Sequence, residues 1–327
     1  MHRIGVTIGD INGVGPEIFL TAFQKEKKLF SNNRIILIGS KVAIEFYRKR
    51  MRYNNKPVKI KFQNYNESNE VSGNTLEIVN IKNTSYIPEP GKISKDAGRI
   101  AYSSILKACE MIKDKTIDAI VTLPINKVNL RKANCKFTGH TTILENEFKK
   151  RISMCFLSKQ MNILLTTIHI PLSEVHIAIN KNLIIEKVSA VDAFFKIRGI
   201  ENIFLILGLN PHAGEENIFG EEETQEIIPA VKSLKKLGVN ISGPVPPDSA
   251  FTEMNRKEFD FFVCMYHDQG LIPLKSHAFF ESCQLSVGLD FVRTSVSHGT
   301  AFDIAGEGIA NPSSFIFALK KTCRLLK

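Results

Sequence analysis

The strongest constraint on this chain is a repeated alternation of short apolar runs with longer stretches of helical periodicity. Residues 3–8, 34–38, 119–123, 162–168, 203–207 and 261–265 read as strands. Residues 17–23, 95–113, 183–195 and 221–237 read as helices, the last acidic at its start and Lys-rich at its end, as the helix dipole favours. Strands separated by helices of this length imply βαβ units, so the fold class is α/β with a largely parallel sheet. Residues 54–95 are rich in Asn, Ser and Pro and read as an insertion, with strand-like pieces at 58–62 and 76–81.

Composition removes several function classes. A chain of 327 residues makes one large or two modest domains, and 43% hydrophobic with 23% charged residues excludes disorder and fibres. Lys and Arg number 43 against 33 Asp and Glu, a net charge of +10 that nominates nucleic acid, a membrane surface or a phosphorylated metabolite. The basic residues are scattered (25–28, 48–52, 149–151, 232–236) and come with no RNA-binding aromatic motif, zinc finger or basic heptad, so no nucleic-acid partner is expected. No apolar run approaches the roughly 18 residues of a membrane span, and residues 1–5 run into a strand without a signal-peptide core. Six dispersed cysteines with no Cys-x-x-Cys pair fit reduced thiols, and the expected location is cytoplasmic.

Three of the eight histidines share one local setting. His169 follows the apolar run 163–168, His212 follows 203–207 through Gly208-Leu209-Asn210-Pro211, and His267 follows 261–266. Each stands at or just past the C-terminal end of a strand, the edge where open α/β sheets bind ligands. One such histidine is more often a loop or capping residue than a ligand. Three repeating the placement favour a site, and three imidazoles suit a divalent ion with positions left open for substrate. His2, His176 and His277 lack that setting and read as surface residues.

Two glycine-rich segments accompany them. Gly9-Asp10-Ile11-Asn12-Gly13-Val14-Gly15-Pro16-Glu17 matches neither the dinucleotide fingerprint nor the P-loop. Pro16 suits a first helical turn, so the segment is either a tight strand-to-helix turn or a place where backbone amides and Asp10 approach a ligand. Residues 297–308, Ser-His-Gly-Thr-Ala-Phe-Asp-Ile-Ala-Gly-Glu-Gly, permit close backbone approach to a flat or phosphorylated ligand. Arg293 and Lys275 are candidate anion holders, and Asp248 follows a Pro-rich loop at 244–248.

Segments 7–17 (Thr-Ile-Gly-Asp-Ile-Asn-Gly-Val-Gly-Pro-Glu), 123–127 (Leu-Pro-Ile-Asn-Lys), 139–141 (Gly-His-Thr), 208–215 (Gly-Leu-Asn-Pro-His-Ala-Gly-Glu), 266–271 (Tyr-His-Asp-Gln-Gly-Leu) and 293–306 together resemble the 4-hydroxythreonine-4-phosphate dehydrogenase family. The resemblance runs in order from Ile4 to about Ala310. The last segment is also similar to the cofactor loop of isocitrate and isopropylmalate dehydrogenases. It implies two α/β/α lobes with a cleft between them: 1–125 with 285–327 on the cofactor-loop side, and 126–284 with the metal ligands and dimer interface.

The activity so implied belongs to pyridoxal phosphate (vitamin B6) synthesis. 4-Phosphooxy-L-threonine is oxidised with NAD or NADP to 2-amino-3-oxo-4-(phosphooxy)butanoate, which decarboxylates to 3-amino-2-oxopropyl phosphate. The resemblance implies a homodimer with its active site at the subunit interface and a divalent metal (zinc, cobalt or magnesium) held by His169, His212 and His267, the last supplied in some arrangements by the other subunit. His140, Thr141, Lys275, Gln284 and Arg293 become substrate contacts, Lys275 and Asp248 candidates for proton transfer, and Gly299, Thr300, Ala301, Asp303 and Ile304 the cofactor contacts. The chain departs from the family pattern at Gln284, which replaces an Asn, at Thr142 and Ser297, which each replace a carboxylate, and in the opening loop, where Ile8 and Ile11-Asn12 stand in place of a Pro-rich form. Two alternatives are a dehydrogenase of a four-carbon sugar acid phosphate (threonate or erythronate 4-phosphate) and a non-catalytic metal- or ligand-binding relative.

Overall fold

The computed structural model describes residues 1–53, 56–58, 60–65, 75–81 and 85–327. The chain divides into two compact units, Met1–Lys150 with Leu289–Lys327, and Arg151–Gly288. Each unit is α/β.

In the first unit six parallel strands lie in the order Val292–Val296, Ala119–Thr122, Arg3–Thr7, Arg34–Gly39, Thr75–Asn80, Lys61–Asn64. The central strands are buried along almost their whole length, which is why they read as continuous apolar runs rather than alternating ones. Of the strand pieces read in 54–95, the second forms as Thr75–Asn80; part of the first, residue 59, lies outside the described residues. Helix Lys95–Lys113 starts where Ser94 Oγ accepts from Ala97 N at 3.3 Å.

The second unit carries parallel strands in the order Ile241–Val245, Phe204–Leu207, Phe261–Cys264, Asn162–Leu165. Ser153–Ser158 then pairs antiparallel with Asn162–Leu165, and Ser282–Val287 antiparallel with Ser153–Ser158. One face is a core of Phe156, Ile163, Leu165, Leu207 and Phe262, onto which helix His267–Ala278 seats Leu271 and Leu274. Gly270 permits that seating, since a Cβ there would stand 2.5 Å from Ile163 Cγ2.

Several expectations need correction. The lobe boundary falls after 150 rather than after 125, because helices Lys127–Lys132 and His140–Phe148 pack on Lys95–Lys113 of the first unit. Gly98 makes the first of these contacts possible; a Cβ there would run into the Asn129 carbonyl. Residues 285–287 sit in the second unit, paired with Met154 and its neighbours. The helix expected at 221–237 does form, continuous through a π-helical part, Glu223–Ile227, into the α-helix Ile228–Lys236. Pro244 is not in a loop but in Ile241–Val245, an edge strand where a missing N–H costs no ladder bond.

Candidate active site

The second unit places the three histidines on one edge. Their parent strands, Phe204–Leu207, Phe261–Cys264 and Asn162–Leu165, are consecutive parallel neighbours, so His212, His267 and His169 all leave the same C-terminal side. Side chains also tie the three turns together. Gln269 accepts from Met265 N at 2.6 Å and donates to Gly208 O at 2.8 Å, joining the His267 turn to the start of the His212 loop. Thr167 Oγ1 donates to Met265 O at 2.7 Å, joining the His169 turn to the same point.

His169 and His267 stand with ring centres 5.8 Å apart. Imidazole nitrogens bind zinc at about 2.0–2.1 Å, so two ligands of one tetrahedral ion carry their ring centres about 5–6 Å apart. The separation of this pair falls in that range. His267 Nδ1 lies 2.6 Å from Asp268 Oδ1; with Nδ1–H donating to that carboxylate, Nε2 keeps its lone pair for a metal. His212 is not gathered with them: among the described residues no group of three or more His, Cys, Asp or Glu side chains is placed to hold an ion. It belongs to a loop with left-handed backbone at His212, Ala213, Glu215, Glu216 and Asn217. Glu223, buried, holds the root of that loop, accepting from Leu209 N at 2.7 Å, Asn210 N at 2.8 Å and Asn210 Nδ2 at 2.9 Å.

The first unit carries the charge. Arg293, only 2% exposed on strand Val292–Val296, donates from Nη2 to Thr122 Oγ1 at 2.6 Å. Burial draws its pKa down to about 9, which leaves it cationic at neutral pH. His140 opens helix His140–Phe148. Burial first, and the Arg293 charge second, hold its imidazole well below the ordinary value, so it is neutral. The residue as a whole is half-buried, but its Nε2 is sealed and meets no hydrogen-bond partner among the described residues. A buried polar atom without a partner is costly, and an incoming ligand relieves it.

Thr141 follows on the same helix, half-buried. Thr142 closes the turn behind both, its Oγ1 accepting from Gly139 N at 3.3 Å and donating to Gly139 O at 3.0 Å. The hydroxyl thus accepts from the N-cap amide, the bond that a Glu at this helix position makes in a capping box. Ser297, the other lost carboxylate, lies 3.2 Å from Ser314 Oγ through its own hydroxyl. The cofactor candidates Gly299, Thr300, Ala301, Asp303 and Ile304 lie in an irregular loop, where Ala301 has φ of 42° and Thr300 O accepts from Val14 N at 3.0 Å.

The remaining candidates belong to the second unit. Lys275 is exposed in the last turn of helix His267–Ala278, and Asp248 is exposed after strand Ile241–Val245. Gln284 is 6% exposed, with Nε2 donating to Ser286 Oγ at 3.1 Å along its own strand. Sequence reasoning missed Gln269, Glu223 and Glu17 as organising residues. Gln269 and Glu17 had a signal, since each lies inside a matched motif; Glu223 lies outside the motifs, acts on backbone amides and leaves none.

Fold and site residues define an α/β protein with imidazoles at strand ends, a buried cation and a glycine-rich loop. The sequence matches the profile of the family described as PdxA, pyridoxal phosphate biosynthetic protein PdxA, over residues 31–322. It is 38% identical over 323 residues to the 4-hydroxythreonine-4-phosphate dehydrogenase of Sulfurihydrogenibium sp. (strain YO3AOP1), covering 98% of this chain and 97% of that one. Identity is 34% to the D-threonate 4-phosphate dehydrogenase of Cupriavidus necator, across 98% of this chain and 96% of that protein. The crystal structure of 4-hydroxythreonine-4-phosphate dehydrogenase from Klebsiella pneumoniae superposes with a TM-score of 0.87 at 29% identity, covering 99% of this chain and 98% of that one. The chain belongs to the PdxA family.

Proposed function

We propose that this protein oxidises the secondary alcohol of 4-phosphooxy-L-threonine with NAD or NADP, and that the resulting 3-oxo acid loses CO₂ to give 3-amino-2-oxopropyl phosphate. The observation that carries the reading is Arg293: a buried guanidinium held by Thr122, with the sealed, neutral Nε2 of His140 close to its charge, is a receptor for an anion. A guanidinium matches phosphate or carboxylate with paired donors. The names of the relatives support a phosphorylated four-carbon acid as that anion.

In this reading Arg293, His140 and Thr141 hold the anionic end of the substrate, with Lys275 and Gln284 as further contacts. Lys275 or Asp248 takes the hydroxyl proton as hydride leaves the carbon for the nicotinamide. The loop carrying Gly299, Thr300, Ala301, Asp303 and Ile304 receives the cofactor through close backbone approach. Of the three proposed ligands, His169 and His267 would hold a zinc, cobalt or magnesium ion, which would supply Lewis acidity at the substrate oxygen; His212 stands apart from them in this structure. The 5.8 Å spacing of the first two supports that assignment. A homodimer in the cytoplasm completes the proposal.

A second reading, a D-threonate 4-phosphate dehydrogenase, is favoured by one observation. The Gln284 amide, at a position where the family pattern has Asn, already donates to Ser286 Oγ. The deciding experiment measures reduction of NAD⁺ and NADP⁺ with each substrate, with and without added Zn²⁺, Co²⁺ or Mg²⁺. Turnover of 4-phosphooxy-L-threonine supports the first reading, and exclusive turnover of D-threonate 4-phosphate the second. No reduction under any condition defeats both.

A further inference from the structure

We infer that Glu17 is a positioning residue for the cofactor, setting the shape of the 299–308 loop from across the first unit; the inference rests on that loop being the cofactor site. Glu17 lies in the first turn of helix Gly15–Lys25 and is 1% exposed. A carboxylate there ordinarily serves its own helix terminus. Here both oxygens turn outward from the helix: Oε1 accepts a short bond from Gly306 N, and Oε2 accepts from Gly308 N at 2.9 Å. Gly306 and Gly308 both have left-handed backbone, with φ of 89° and 73°. The carboxylate therefore fixes two amides in a stretch that glycine leaves free to turn.

The rest of the 9–17 segment grips the same loop. Val14 N donates to Thr300 O at 3.0 Å, spending a helix-terminal donor on the loop. Gly13 lies so close that a Cβ there would stand 2.8 Å from Thr300 O and 2.9 Å from Thr300 Cβ. Asn12 extends the cradle: its Oδ1 accepts from Glu89 N and its O from Gly91 N, at 2.9 and 2.8 Å. A Cβ on Gly91 would in turn stand 2.8 Å from Phe302 O. Gly13 is thus the glycine of this segment that the 299–308 loop requires, whereas a Cβ on Gly9 or Gly15 would meet Pro124 O or Ile8 O instead. Glu17 is buried, and both of its oxygens accept from the loop backbone.

The test uses the full-length protein and two variants. Glu17→Gln keeps size but turns one acceptor into a donor that faces an N–H; Gly13→Ala pushes on Thr300 without touching Glu17. NAD⁺ and NADP⁺ affinities are measured by calorimetry, alongside steady-state constants for both substrates and hydrogen exchange along the chain. In each variant the cofactor Kd and KM rise about tenfold or more, as for loss of a hydrogen bond to a charged group. The KM of the phosphorylated substrate and kcat at saturating cofactor change far less, and exchange quickens across 299–308 while strand Arg3–Thr7 stays protected. Unchanged cofactor affinity in a folded Glu17→Gln protein overturns the inference. So does equal loss on substrate and cofactor, which marks a merely structural role. If Glu17→Gln does not fold, Gly13→Ala decides by the same criteria. Failure of the wild-type protein to bind either nicotinamide nucleotide instead defeats the parent reading, and is told apart by that control.

Discussion

Arg293 and Thr122 meet across neighbouring parallel strands, Nη2 to Oγ1 at 2.6 Å, both inside the first unit's sheet. A guanidinium this enclosed would ordinarily be expensive; keeping it charged is sensible where a ligand supplies the opposite charge. Arg293→Lys keeps the charge but loses the planar fork. It is expected to raise the KM of the phosphorylated substrate about tenfold to hundredfold while leaving the cofactor KM within about twofold. Steady-state kinetics with each reactant varied in turn checks this.

His140 gives the protein a pH signature. Burial, then the Arg293 charge, hold its pKa well below the ordinary 6.5. Unfolding restores the ordinary value, so below pH 6.5 the unfolded chain binds a proton that the folded chain refuses. Its contribution is thus full above that pH and is lost progressively as the pH falls towards the depressed folded value. Urea midpoints taken from about pH 7.5 down to about pH 5 should decline in the wild type and decline less in His140→Gln. Parallel declines would mean that another group is responsible.

The residues at the second unit's strand edge make a metal prediction. His169→Ala and His267→Ala should each weaken Zn²⁺ or Co²⁺ binding by about tenfold or more, because each removes one of the two neighbouring imidazoles proposed to share an ion. Equilibrium dialysis reads this without any assay of turnover. His176→Ala, exposed on helix Leu172–Ala178, is the control.

Glu223 is predicted to stabilise the whole molecule as well as the His212 loop. Glu223→Gln disrupts an acceptor set for two backbone amides and Asn210, at a cost of about 1.5–3 kcal/mol, and lowers Tm by several degrees. Gly98→Ala acts by a different route. Its methyl group displaces Asn129, which bonds Asp10 at 2.7 Å and Ser94 N at 2.9 Å, so overpacking and disrupted bonds together cost about 1–3 kcal/mol. Thermal and denaturant unfolding of the two variants measure both.

Much of this architecture is legible in the sequence. The parallel strands are apolar because both faces are covered, and that made them readable at 34–38 and 203–207. The histidines were legible for the same reason, each standing just beyond a run whose end is a physical boundary. Ser153–Ser158 and Ser282–Val287 were not. Both are fully buried yet begin with Ser and carry further Ser or Gln, and what covers those polar groups is the antiparallel pairing of distant segments. Nor was the position of His212 legible, because it depends on a run of left-handed residues held by Glu223 from beyond the loop. Thr142 looked like the loss of a site carboxylate and proves to be a helix cap, since a hydroxyl serves that bond equally well.

The function proposed for this chain is that of a nicotinamide-dependent dehydrogenase of a phosphorylated four-carbon hydroxy acid. The most direct test is the appearance of reduced nicotinamide when metal-loaded protein meets 4-phosphooxy-L-threonine and NAD⁺ or NADP⁺. Steady reduction is expected with this substrate or with D-threonate 4-phosphate, abolished by a chelator and restored by a divalent ion. Metal-loaded, folded protein that binds a nicotinamide nucleotide yet reduces none with either substrate would contradict it.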